Sequence, residues 1–290
     1  MSFVQLDFHS RVLGFDCQLD VVLPEEKQGV GFIPVPRKDK HPVLYLLHGT
    51  SGDHTDWERW TSVERYAAKK GIALVMPAGQ LSSYANMVTG ERFFDYIAYE
   101  VPEVVKDAFA ISDKREDTFI GGLSMGSYGA LKIALTLPEN YAAAGALSSG
   151  NHAYHPERSN KGLGTLVSAN ANSDVTKADQ DKGIFAQNVM ELRYKLCWGW
   201  EKGKSILNTP EDWEFLAKRD IEEGRPLPMI YHCIGTEDHN YEEATRARKF
   251  FQSLEGNPFR YEYHEAPGQH NWEFWDEWVE KFIQWLPVTL

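Results

Sequence analysis

Short unbroken apolar runs alternate along the chain with longer stretches in which apolar residues recur every three or four positions. Phe3 to His9 and Gly14 to Leu23 read as two strands, the second with apolar residues alternating at Leu19, Val21 and Leu23. A polar connection containing proline and glycine follows, from Glu25 to Lys40. Pro42 to Leu47 is apolar throughout, the mark of a strand covered on both faces, and Ile72 to Met76, Ala143 to Leu147 and Met229 to Ile234 share that character. Thr118 to Ile120 adds a short buried strand, and Phe259 to His264 a last one. Between these runs the spacing predicts helices. Thr55-Asp56-Trp57-Glu58 has the T-x-x-E form of a capping box, so a helix is expected from there to about Lys70, stopped by Gly71. Phe93, Ile97, Val101 and Val105 lie four residues apart on one helical face, with Pro102 marking a kink or restart. Further helices are expected over Tyr128 to Leu135, Tyr241 to Leu254 and Trp272 to Leu286.

Strands alternating with helices imply an α/β fold, with a mostly parallel central sheet flanked by helices. The pattern loosens from about Gly150 to Arg225, which reads as a cap or lid inserted over one edge of the sheet. A chain of 290 residues suits a single domain over 1–290 with such an insertion at about 150–225.

Composition narrows the partners. Hydrophobic residues at 42% and aromatics at 13% are enough for a large core and an apolar pocket besides. A net charge of −12 argues against nucleic acid or an anionic membrane surface, both of which need a basic face. No apolar run approaches the roughly 20 residues that span a bilayer. The first residues lack the basic start and hydrophobic centre of a secretory signal. Three cysteines, widely spaced and without C-x-x-C, read as reduced thiols, so the expected compartment is the cytoplasm.

Gly122-Leu123-Ser124-Met125-Gly126 is a G-x-S-x-G pattern, with a strand before it and a helix after it. A serine on such a turn projects its hydroxyl into a cleft at the positive end of the following helix. A serine hydroxyl needs a base to take its proton, and the base needs an acid to hold it. The loop after the Met229–Ile234 run offers Asp238, with Glu237 beside it as the alternative acid. The loop after the last strand offers His270, on a Pro/Gly turn directly before the terminal helix. His264 and His232 lie inside strands, His239 shares the acid's loop, and His48 belongs to a glycine loop. His152 and His155 form H-x-x-H without a clear third ligand, so no metal or other cofactor is expected. Acyl transfer also needs two backbone N–H groups aimed at the developing oxyanion. Met125, next after the serine, and Thr50, in His48-Gly49-Thr50-Ser51-Gly52, are placed to supply them.

The segments HGTSGDHTDW, GERFFDYI, ISDKREDTFIGGLSMGSYGALK, GTED and PGQHNWEFW resemble the esterase D family of α/β-hydrolases, in particular its tributyrin, acetyl and cinnamoyl esterases. The resemblance covers Phe3 to about Gly150 and Pro228 to Leu286. It implies an α/β-hydrolase fold with Ser124 as nucleophile, Asp238 as acid, His270 as base, and Thr50 and Met125 as oxyanion donors. Thr50 stands where the family often has Met or Leu, and Ser127 where it often has Gly, which leaves the acyl preference open. The implied activity is serine carboxylester hydrolysis of a small-molecule ester, short-chain acyl or cinnamoyl (feruloyl), including sugar-linked esters, by an enzyme that forms homo-oligomers in related cases. The alternatives are a thioesterase like S-formylglutathione hydrolase and a non-catalytic hydrolase-fold binding protein. The loose segment carries Phe185, Tyr194, Trp198, Trp200, Trp213 and Phe215, and Trp198 and Trp200, flanking Gly199, are its candidate substrate contacts.

Overall fold

The computed structural model describes residues 1–25, 39–50, 52–149, 196–199 and 206–288. β1 (Ser2–His9), β2 (Asp16–Leu23), β3 (Val43–Leu47), β4 (Ala73–Pro77), β5 (Thr118–Leu123), β6 (Ala143–Leu147), β7 (Met229–Gly235) and β8 (Glu262–Ala266) join in one sheet. The order is β1-β2-β4-β3-β5-β6-β7-β8. The first two pairings, β1 with β2 and β2 with β4, are antiparallel, and the rest are parallel. β3, β4, β5 and β6 are buried along their whole length, as their unbroken apolar runs predict.

Register brings the chemistry to one edge. Leu47 pairs with Gly122, Leu123 with Leu147, Leu147 with Cys233, and Gly235 with Ala266. The residues that follow these strands (48–50, 124, 148, 236–240 and 267–271) therefore emerge side by side at the carboxyl ends of parallel strands, where open α/β sheets bind ligands.

Helices cover both faces. α5 (Met125–Thr136) packs on one, with Tyr128, Leu131 and Leu135 in the same apolar cluster as Trp213, Leu216 and Phe251. Trp213 and Leu216 come from α6 (Trp213–Glu222) and Phe251 from α7 (Tyr241–Ser253). On the other face, Trp275, Trp278, Val279 and Phe282 of α8 (Trp272–Trp285) pack with Tyr66 of α2 (Val63–Lys70) and Trp57 of α1 (Asp56–Trp60). Of the expected insertion, residues 206–225 end in α6, which is part of this core, while 150–195 and 200–205 lie outside the described residues. Among the described residues, no helix is long and apolar enough to cross a membrane.

Local geometry departs from the sequence pattern in three places. The helix expected from Thr55 to Lys70 is two helices. Thr55 is itself in the helical region and makes no capping bond; its hydroxyl and its N–H both donate to Asp53 Oδ1, at 2.7 and 2.8 Å. The break falls at Thr61, which is extended, and the N–H of Ser62 donates to Asp276 Oδ1 at 2.8 Å, from α8. The face Phe93–Val105 is built from α3 (Phe93–Asp95), a π-turn at Tyr96–Glu100 and α4 (Val101–Ala108). The widened turn lies directly before Pro102, which has no N–H to continue the helical ladder. The last strand begins at Glu262 rather than Phe259. The side chain of Asn257 accepts the Tyr261 N–H at 2.8 Å and Arg260 has φ 44°, so the chain is still turning there.

Candidate active site

Ser124 sits between β5 and α5 with φ 51° and ψ −114°, a conformation that costs a non-glycine residue about 1–3 kcal/mol. The surroundings hold it there. Its N–H donates to Leu147 O on β6 at 3.0 Å, and its carbonyl accepts the Ser127 N–H at 3.1 Å and the Ser127 hydroxyl at 2.6 Å. The turn is so close to β3 that a Cβ on Gly126 would stand 2.3 Å from Leu47 O. That approach accounts for the glycine two residues after the serine. Met125 opens α5, so its N–H is one of those at a helix start that lack an intrahelical acceptor.

Asp238 and His270 meet on neighbouring loops, with His270 Nδ1 at 2.9 and 3.0 Å from the two carboxylate oxygens. An Nδ1–H given to Asp238 leaves Nε2 as the basic nitrogen of a neutral ring. The Asp238 side chain is fully buried. Burial pushes its carboxyl up, but the hydrogen bond and charge of His270, the Asn240 N–H at 2.8 Å and the Ser148 hydroxyl outweigh it and leave it below the usual carboxylate range. Glu237, the alternative acid, is exposed and turned elsewhere: its carboxylate accepts the Gly268 N–H and, at 2.9 Å, the Thr236 hydroxyl. With the Glu237 N–H donating to Gly268 O at 3.0 Å, it clips the loop after β7 to the loop after β8. That clip needs a bare backbone at Gly235, where a Cβ would come within 2.1 Å of Gly268 O.

Two further residues close the group. Ser148 follows β6 with φ 51°, and its Oγ accepts the indole N–H of Trp275 at 2.8 Å. His239 lies against His270 with ring centroids 4.2 Å apart, while Trp275 meets the His270 ring edge-on at 4.9 Å. Sequence reasoning set His239 aside as sharing the loop of Asp238 and did not weigh Ser148. The signal for Ser148 was its place directly after a central parallel strand; for His239 it was only its adjacency to Asp238.

The loop after β3 is fixed by His48. Its Nδ1 donates to Gly49 O at 2.7 Å and its Nε2 accepts the Gly79 N–H at 2.8 Å, a pattern that only the neutral ring can satisfy. Burial lowers its pKa to about 4, against smaller opposing contributions from Gly49 O and Asp53. Tyr84 adds a hydroxyl donor to His48 O at 2.9 Å. Gly49 passes against Leu123 and Ser124, and Thr50, next in the loop, is half-buried.

Trp198 is held in a polar knot: its indole N–H donates to Glu211 Oε2 at 2.9 Å, and its ring meets Tyr128 edge-on. Glu211 also takes the buried ammonium of Lys132 and, at 3.2 Å, the Tyr128 hydroxyl. Trp200, His152 and His155 lie outside the described residues. His232 is buried with its Nδ1 2.7 Å from the Tyr261 hydroxyl, and His264 packs against the rings of Tyr231 and Trp278, so neither joins the group around Asp238. Cys17, Cys197 and Cys233 are buried and none forms a disulfide.

An eight-stranded sheet in this order, with a strained serine at the turn into the helix that follows β5, is the α/β-hydrolase fold of serine hydrolases. Residues 10–288 match the family model described as Esterase, and the chain belongs to that family. It is 27% identical to an acetyl esterase of Caldicellulosiruptor saccharolyticus over 99% of this chain and 98% of that protein. Among solved structures it is similar to the fluorophosphonate-binding serine hydrolase F of Staphylococcus aureus, with a TM-score of 0.76, 29% identity and 98% of each chain covered. An S-formylglutathione hydrolase of the same organism gives a TM-score of 0.75 and 28% identity, again over 98% of both chains. The chain is a serine hydrolase acting on carboxylic esters.

Proposed function

We propose that Ser124 is the nucleophile, His270 the general base and Asp238 the acid that orients it. The observation that carries this reading is the Asp238–His270 pair at 2.9 Å, set on loops beside a serine held in a strained turn. In the first half-reaction, His270 Nε2 takes the Ser124 proton as Oγ attacks the ester carbonyl. The backbone N–H groups of Met125 and Thr50 receive the oxyanion. His270 then gives the proton to the departing alcohol, leaving an acyl group on Ser124. Water, activated by the same imidazole, releases the acid. No step calls for a metal or an organic cofactor.

The substrate proposed is a small short-chain acyl ester. Full-length similarity to an acetyl esterase supports acetyl as the acyl group, on a sugar or another alcohol. Feruloyl esters remain within this proposal through the aromatic residues of the 150–225 segment, Trp198 and Trp200 among them. A second reading, a thioesterase acting on S-formylglutathione, is supported by the 28% identity to such an enzyme over 98% of both chains. We place the enzyme in the cytoplasm, in keeping with three buried cysteines outside any disulfide.

Initial rates of the wild type beside Ser124→Ala test both readings. The panel is p-nitrophenyl acetate, butyrate and octanoate, methyl ferulate, an acetylated xylo-oligosaccharide and S-formylglutathione. Acetate or acetylated sugar as the preferred substrate, with activity lost in Ser124→Ala, supports the esterase. A kcat/KM at least about a hundredfold higher for S-formylglutathione replaces it with the thioesterase.

A further inference from the structure

The carboxylate of Asp238 and the rings of His239 and His270 each bring one ligand atom into a group spanning no more than 4.8 Å. His270 Nδ1 is 2.9 Å from Asp238 Oδ2, and His239 Nδ1 is 4.0 Å from Asp238 Oδ1. Two ligands on a tetrahedral Zn²⁺, each at about 2.0–2.1 Å, stand about 3.3 Å apart. These two spacings bracket the one that zinc needs. Two imidazoles and one carboxylate, with a fourth position left to water, are a recognised zinc donor set. A carboxylate–histidine pair alone is half of such a site; His239, exposed and tilted against His270 with ring centroids 4.2 Å apart, supplies the missing ligand.

We propose that Asp238, His239 and His270 form a Zn²⁺ site through which the metal reversibly switches the esterase off. The inference rests on the assignment of Asp238 and His270 made above. Zinc takes the place of the Nδ1 proton of His270, which passes to solvent, and turns both Asp238 and the imidazole from proton transfer to coordination. No bond to substrate is involved, and a chelator restores the resting pair. The three cysteines are buried and offer no competing thiol at the surface.

The test titrates ZnCl₂ into wild type, His239→Phe and the double variant His152→Ala/His155→Ala. Hydrolysis of p-nitrophenyl acetate, normalised to each protein's own metal-free rate, is followed beside calorimetric zinc binding. Phe keeps a ring against His270 and removes the nitrogen donors. The expected result is inhibition of the wild type that EDTA reverses, a half-inhibiting zinc concentration at least about tenfold higher in His239→Phe, and a matching loss of calorimetric affinity. The double variant should behave as the wild type. Equal inhibition and binding in wild type and His239→Phe, or no calorimetric binding in the wild type up to millimolar zinc, overturns the site. Hydrolysis that survives Ser124→Ala would instead overturn the serine assignment, and zinc binding measured by calorimetry would still decide the metal site.

Discussion

The indole N–H of Trp275 donates to Ser148 Oγ at 2.8 Å, and that contact ties the closing helix to the strand beside the serine turn. The same hydroxyl serves Asp238, so this carboxylate is positioned from β6 and α8 as well as from its own loop. Ser148→Ala should lower kcat about 3–10-fold with little change in KM, since a single supporting hydrogen bond is worth about 0.5–1.5 kcal/mol. Trp275→Phe should do the same to a smaller extent. Steady-state kinetics on p-nitrophenyl acetate checks this; an unchanged kcat in Ser148→Ala would remove Ser148 from the account.

The strain at Ser124 has a measurable counterpart in stability. A glycine adopts φ 51° and ψ −114° at far less cost than an alanine. Ser124→Gly should therefore unfold at a higher temperature than Ser124→Ala, by about 1 kcal/mol or more once converted, although glycine's greater freedom in the unfolded chain works against it. Thermal melts of the two inactive variants give the comparison, and a less stable glycine variant would mean that the strain is small.

His48 acts on the loop after β3 through hydrogen bonds rather than charge. His48→Ala removes the acceptor of the Gly79 N–H and the donor to Gly49 O together. The loop carrying Thr50 should loosen, with kcat falling about 10- to 100-fold, while KM moves much less. Equal losses in kcat and in folded fraction by circular dichroism would point to unfolding instead.

Stability should depend on pH through buried groups outside the Ser124, Asp238 and His270 set. Burial raises the Glu58 carboxyl to about 7, with Glu64 and Asp20 adding to the rise. The folded state thus keeps a proton that the unfolded chain releases near 4.5. Stability tied to Glu58 is fully present below that value and is lost as pH rises from about 4.5 through about 7. Burial moves His48 to about 4 and His232 to about 3, so their contribution runs the other way, falling as pH drops below about 6.5. Glu58→Gln isolates the first effect. It should gain about 1–2 kcal/mol over the wild type at pH 8, allowing for the partial exposure of Glu58, and nothing at pH 4.5. Chemical denaturation at the two pH values measures it.

What could be read in the sequence follows physical locality. The serine turn and the loops of Asp238 and His270 announce themselves because each has special residues at or just beyond a strand end: Gly122 and Gly126, then Gly235, then Pro267 and Gly268. Ser148 did not, because its place beside Asp238 depends on which strands lie side by side. Only the pairing of Leu147 with both Leu123 and Cys233 puts Ser148 between the serine and the acid. The break at Thr61 is hidden for the same reason: the N–H of Ser62, the next residue, is satisfied by Asp276, 214 positions away. Asn257 likewise moves the start of β8 by a local side-chain bond that an apolar pattern does not register.

The central claim is that Ser124 forms the acyl-enzyme, and covalent labelling addresses it most directly. Wild type and Ser124→Ala are treated with a fluorophosphonate, weighed intact by mass spectrometry and then mapped by peptide. The account predicts one adduct per wild-type chain, on the peptide containing Ser124, and none in Ser124→Ala. A label that persists in that variant, or that maps to another residue of the wild type, would contradict it.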